Sequence, residues 1–219
     1  MQLTIFNGSP RGISGNSRLI IDWLIHGINQ NPGAKIETVC LTKVNEYDNF
    51  ITKLKTSDMA LIVFPLYTDC MPGIVMAFIE KLMPLRKTLK GLKLGFVVHS
   101  GFPEACHSRS IEKYLVWLSG ELSADYMGTV IFGGSEGLNG MSPKAIAKKQ
   151  AIFSELGQRL IVENQFDLKL LKKIAGMERL GTIGEFIVRI LVKMGVINSE
   201  WDRQLKANHA YKEKDARPY

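Results

Sequence analysis

Three stretches of the chain concentrate residues whose types and spacing can bind an anion or hold a flat polar ring. The first is Gly8-Ser9-Pro10-Arg11-Gly12-Ile13-Ser14-Gly15-Asn16-Ser17. Glycines and hydroxyls between a β-rich run and a helical pattern aim backbone N–H groups and the positive end of a helix at one spot, and such a spot binds phosphate. Ser9, Ser14, Asn16 and Ser17 add hydrogen-bond donors, and Arg11 adds charge. A plain turn with a capped helix is the other use of the same residues. A Walker loop is excluded because Gly15-Asn16-Ser17 lacks the lysine, and the dinucleotide fingerprint G-x-G-x-x-G is absent. The second stretch is Pro65-Leu66-Tyr67-Thr68-Asp69-Cys70-Met71-Pro72-Gly73, and the third is His99-Ser100-Gly101-Phe102-Pro103-Glu104. Cys106-His107 has no spaced partners that would make a metal site, and Cys70 is expected as a small packing residue rather than a redox thiol. The three cysteines, Cys40, Cys70 and Cys106, form no C-x-x-C pair, and none has an arginine six residues later, as a phosphatase loop requires.

The elements around these stretches put all three at strand ends. Leu3-Thr4-Ile5-Phe6 is a strand closed by Asn7-Gly8-Ser9-Pro10, and a helix follows from about Ser17 until Asn31-Pro32-Gly33. A second strand covers Ile36 to Leu41 and a polar helix lies near 46 to 56. The unbroken apolar run Met59 to Phe64 is a strand covered on both faces, ended by Pro65. Pro72 opens the next helix, as proline suits a first helical turn. Leu94 to Val98 is a fourth strand, 108 to 121 a fourth helix, Tyr126 to Phe132 a fifth strand, and Pro143 to about Glu163 a fifth helix. Such alternation predicts an α/β fold with a parallel sheet.

The pattern over residues 1 to 165 resembles the flavodoxin-like NAD(P)H-dependent FMN reductases, with iron-sulfur flavoprotein and quinone reductase relatives. Gly8-Ser9-Pro10-Arg11 through Asn16-Ser17 is similar to that family's FMN phosphate loop. Pro65 to Gly73, followed by Phe78-Ile79-Glu80-Lys81, is similar to its flavin-ring loop after the third strand. The resemblance implies a doubly wound five-stranded parallel sheet of order 2-1-3-4-5. The first and third strands are then neighbours at the switch point, where ligands settle. It further implies FMN as cofactor, NAD(P)H as co-substrate and a small-molecule acceptor such as a quinone or flavin, served by a ping-pong mechanism. The flavin itself carries the chemistry, so no catalytic side chain is expected. In that setting Leu66 and Met71 cover apolar ring surface, Tyr67 lies against the ring, and backbone N–H groups near Thr68 meet its polar edge. Where relatives carry a Gly-rich turn against the ring, this chain has His99-Ser100-Gly101, and His99 is either a hydrogen-bonded strand-end residue or a flavin contact. A flavodoxin-like electron carrier is the alternative function. The cysteine ligands of an iron-sulfur cluster are missing.

Composition narrows the remaining classes. The 219 residues are 46% hydrophobic and 22% charged, near the globular average. No uncharged apolar run approaches the roughly 18 residues of a membrane span, and a basic n-region is absent at the N-terminus, so a cytoplasmic protein is expected. Of the net charge of +7, residues 167 to 219 hold 11 Lys and Arg against 7 Asp and Glu. No tight basic run with interleaved aromatics points to nucleic acid. Residues 1–166 are expected to form the FMN-binding domain and 167–219 a helical extension. Within the extension Ile183, Ile187, Ile190, Met194 and Ile197 share one helical face. That face predicts packing on the chain's own domain, a lid or homodimer contact, or, with Lys169, Lys172, Lys173, Arg189 and Lys193 nearby, contact with a membrane surface.

Overall fold

Each β-rich run becomes a strand and each 3.6-period run a helix in a computed structural model, which describes residues 1–193 and 199–216. The strands are β1 (Gln2–Asn7), β2 (Lys35–Cys40), β3 (Met59–Pro65), β4 (Lys93–His99) and β5 (Asp125–Phe132). All neighbouring pairs are parallel and the order is β2-β1-β3-β4-β5, as expected for a doubly wound sheet. The connecting helices are α1 (Asn16–Ile28), α2 (Tyr47–Thr56), α3 (Gly73–Lys81), α4 (Arg109–Leu122) and α5 (Pro143–Glu163).

Side chains alternate across the sheet with period two. Met59, Leu61 and Val63 of β3 join Leu3 and Ile5 against Trp23, Leu24, Phe153 and Leu156 of α1 and α5. Ala60, Ile62 and Phe64 join Phe6 and Phe96 against Phe50, Phe78 and Leu115 of α2, α3 and α4. Both faces being covered, β3 has no polar side, which explains its continuous apolar sequence. α1 and α5 cross closely: a Cβ on Gly27 would stand 1.7 Å from the Ser154 carbonyl oxygen, and one on Gly157 would stand 2.3 Å from that of Leu24.

The chain divides into two compact units, residues 1–178 and 179–219. The sheet unit runs beyond residue 166 because α6 (Leu168–Ala175) packs along β5. Phe166 donates its N–H to the Met127 carbonyl, and the Asp167 carboxylate caps the helix by accepting from the N–H groups of Lys169 and Leu170 at 2.7 and 2.9 Å. Those bonds hold Asp167 below the usual carboxylate range, with Arg159 adding to the effect. The second unit contains α7 (Thr182–Lys193) and α8 (Ser199–Ala207). Ile183, Ile187 and Ile190 fall on α7; Met194 and Ile197 lie outside the described residues. Among the described residues, no helix is long and apolar enough to cross a membrane.

Candidate active site: a crevice at the sheet's switch point

β1 and β3 leave the sheet side by side, and the loop after β1 is shaped by its own last residue. The Asn7 amide donates to the Gly12 carbonyl at 3.0 Å and accepts from the Ser9 N–H at 3.0 Å, which folds residues 8–12 over the strand end. Gly8 passes so near α3 that a Cβ would meet Val75 at 2.4 Å. Ser9 is buried, and its hydroxyl accepts from the Arg11 N–H. A Cβ on Gly15 would stand 2.5 Å from the Ser9 hydroxyl, so only glycine lets the loop close on itself there. Gly15 is the N-cap residue of α1, and no side chain caps that end. The first N–H groups of a thirteen-residue helix are therefore left to whatever enters the crevice.

The loop after β3 is a tight hairpin. Tyr67 and Cys70 exchange backbone hydrogen bonds at 2.9 and 3.2 Å, with Thr68 and Asp69 at φ 51° and 62° between them. Two successive left-handed residues without a glycine are strained, an arrangement concentrated at functional loops. The N–H groups of Thr68 and Asp69 have no protein partner among the described residues.

The loop after β4 is pinned to the one after β5. Ser100 N–H donates to the Phe132 carbonyl, Gly134 N–H to that of Phe102 and Ser135 N–H to that of Ser100, at 2.8 to 3.0 Å. A Cβ on Gly133 would lie 2.6 Å from the Phe102 and Pro103 carbonyls, so this glycine permits a close approach rather than a loose loop. His99 sits beneath, 4% exposed, with both ring nitrogens engaged. Its Nδ1 is 2.8 Å from the Ser135 hydroxyl and its Nε2 is 2.7 Å from that of Ser17. The Ser135 hydroxyl donates onward to the Ser100 carbonyl at 3.0 Å. One proton arrangement satisfies all of this: Ser17 O–H donates to Nε2, and Nδ1–H donates to Ser135. The imidazole is thus neutral, and burial pushes its pKa down to about 4. Asn16 adds a second tie, its amide donating to the Ser135 carbonyl at 2.8 Å.

These loops line a crevice open to solvent, with about 130 Å³ of free space between them. Ser9, Arg11 and Asn16 line it from the first loop, Pro65, Leu66 and Tyr67 from the second, and His99, Ser100 and Gly101 from the third. Those nine of the thirteen expected site residues are brought together. The other four are not among the lining residues: Ser14 is exposed on its loop, Thr68 is exposed at the hairpin tip, Met71 is buried beyond it, and Ser17 is fully buried with its hydroxyl committed to His99. Cys70 is exposed rather than packed, because the hairpin carries it out of the core. Ser135 and Glu136 line the crevice as well, although nothing in the sequence marks them beyond their place after a strand end. Arg11 and Glu136 are its two charged residues. Among the described residues no cluster of His, Cys, Asp or Glu could hold a metal ion.

No protein-family model matches the sequence, nor does any curated protein. The likeness lies in solved structures. An FMN-dependent NADH-azoreductase from Bacillus anthracis, crystallised with FMN, superposes with a TM-score of 0.58 at 16% identity, over 73% of this chain and 98% of that one. The fold is flavodoxin-like. An NADPH-quinone reductase from P. pentosaceus matches with a TM-score of 0.55 at 14% identity, over 71% of this chain and 96% of that one. An NADH:FMN oxidoreductase in its apo form matches at 0.56 and 9% identity, over 81% of this chain and 95% of its own. In a flavodoxin-like sheet the β1/β3 switch point is the ligand site, and the crevice lies there.

Proposed function

We propose that this chain is an oxidoreductase that binds FMN in the switch-point crevice and passes a hydride from NADPH or NADH to a quinone, flavin or similar small acceptor. The observation that carries the reading is the first loop: an uncapped helix N-terminus, closed by Gly15 against Ser9 and flanked by Arg11, opens into a crevice walled by the β3 and β4 loops. Solved structures of like fold include proteins described as FMN- and NAD(P)H-dependent reductases, which supports the same chemistry here. FMN, when bound, supplies reversible hydride acceptance and donation.

The residues present fit that group. The N–H groups of Asn16 and Ser17, with Ser9 and Arg11, meet the phosphate, while the Asn16 and Ser17 side chains hold the loops together rather than touch the ligand. Pro65, Leu66 and Tyr67 give the ring an apolar wall. The unpartnered N–H of Thr68, with that of Gly101, is a donor for the polar ring edge and favours a negative charge there. Ser100 orients its loop by donating its hydroxyl to the Phe102 carbonyl at 3.1 Å. One crevice has to serve donor and acceptor in turn, which predicts ping-pong kinetics. Three unpaired cysteines fit a reducing, cytoplasmic setting. A homodimer is the proposed assembly, because Phe186, Ile190 and Val192 of α7 are exposed.

The purified protein is expected to be yellow, to release FMN and not FAD on denaturation, and to bleach rapidly with NADPH or NADH. Initial rates against both substrates should give parallel double-reciprocal lines. Release of FAD, or no flavin even after reconstitution, sinks the reading. Slow bleaching with facile one-electron cycling would make the protein an electron carrier instead.

A further inference from the structure

A second concavity, with about 360 Å³ of free space, lies between α3 and α4 on the far side of the 67–70 hairpin. Its floor is Met71, Met76, Ile79 and Ile111, and the Tyr114 ring forms one wall. Met76 is 45% exposed and Tyr114 36%, so both present accessible surface to the hollow. Asp69 and Glu80 stand at its edge, and no Lys, Arg or His lines it. His107 approaches Asp69 from outside at 3.6 Å and is shared with Glu104 at 3.5 Å. Glu80 has no cationic side chain within ion-pair distance among the described residues, and its charge helps raise the Tyr114 pKa, second to burial.

We propose that this groove is a binding site for a planar, apolar, positively charged small molecule. Two thioethers and a tyrosine ring offer polarisable surface to an aromatic system, and a cation over the tyrosine face gains a further attraction. Two carboxylates without a cation in the lining favour a positive ligand and repel an anion. The volume suits one small ligand of a few rings and is too small for a helix of a protein partner. The lining of the groove shares no residue with that of the crevice.

Isothermal titration of the full chain with 1-methyl-4-phenylpyridinium, neutral 4-phenylpyridine and biphenyl-4-carboxylate at pH 8 tests this, with and without saturating FMN. The cation should bind one to one, about tenfold or more tighter than the neutral compound, and the carboxylate should not bind. Glu80→Gln should weaken the cation about fivefold and leave the neutral compound unchanged. Met76→Lys should abolish cation binding. Both positions are exposed on α3, and unchanged thermal melts would show that the fold is kept. FMN should leave the cation's affinity unaltered whether or not it binds the crevice itself, so the two proposals fail separately. Equal binding of the neutral or anionic compound, no binding of any, indifference to either variant, or displacement by FMN overturns the assignment. So does a fall in solution mass on Met76→Lys, which would give the groove to a second copy of the chain.

Discussion

His99 is the residue on which three of the crevice's loops converge, and its protonation state sets their geometry. As a neutral Nδ1–H tautomer it accepts from Ser17 at the start of α1 and donates to Ser135 after β5, while its own carbonyl accepts from Leu66 N–H at 2.7 Å after β3. A second proton would turn Nε2 into a donor facing a hydroxyl whose hydrogen already points at it, and would bury an uncompensated charge. The folded pKa of about 4 lies below the ordinary 6.5, so between these values the unfolded chain binds a proton that the folded chain does not. Stability from this group is therefore full above pH 6.5 and is lost as pH falls towards 4, to a total of about 3 kcal/mol. Denaturant unfolding at pH 7.5 and pH 4.5 should show wild type losing more stability than His99→Gln, whose amide does not titrate. Equal losses in the two proteins would mean that His99 is not held neutral. The histidine's position after the fourth strand was legible from the sequence; its partners were not, because Ser17 lies 82 residues away and Ser135 lies 36 away.

At the scale of elements, local pattern carried most of the information. The apolar runs around Met59–Pro65 and Lys93–His99 and the proline and glycine punctuation set strand and helix bounds to within a residue or two. The sheet order followed from the family resemblance rather than from periodicity. Packing distances stayed hidden, since the crossing of α1 on α5 depends on two glycines 130 residues apart, each inside an ordinary helical pattern. Gly27 faces the Ser154 carbonyl and Gly157 faces that of Leu24, so any side chain must push the two helices apart. Gly27→Ala should cost about 3 kcal/mol despite alanine's better helix propensity, because backbone and not a flexible side chain is in the way. Displacement of α1 would also move the N–H groups at its start and weaken FMN along with the fold. A melting temperature equal to wild type would show that the helices tolerate a wider spacing and that the close contact is incidental. The same element logic accounts for α6: the Asp167 cap and the Phe166 bond to Met127 involve side chains and pairings that no 3.6-residue period reports, and the N–H groups of Ala105 and Cys106, donating to the Met177 and Glu178 carbonyls, carry the sheet unit on to residue 178.

For the molecule as a whole, the two units differ in how they dispose of apolar surface. The sheet unit buries its large aliphatic and aromatic residues in two continuous cores. α7 does not: Phe186 is 64% exposed and Ile190, one turn further on, is exposed on the same side, while Val192 is exposed elsewhere on the helix. A soluble chain seldom leaves neighbouring large apolar side chains on one short helix in water, and a two-fold contact between identical copies is the commonest way to cover them. The full-length protein at micromolar concentration should therefore scatter light as about twice its 24.5 kDa mass. Phe186→Lys with Ile190→Lys, charges introduced at exposed positions, should return it to the monomer while leaving the melting of the sheet unit and the stoichiometry of FMN unchanged. If the double variant keeps the dimer, the contact lies elsewhere on the surface. A wild-type monomer whose stability falls on the same two substitutions would mean instead that α7 covers its own chain, the intramolecular role that its sequence pattern serves equally well.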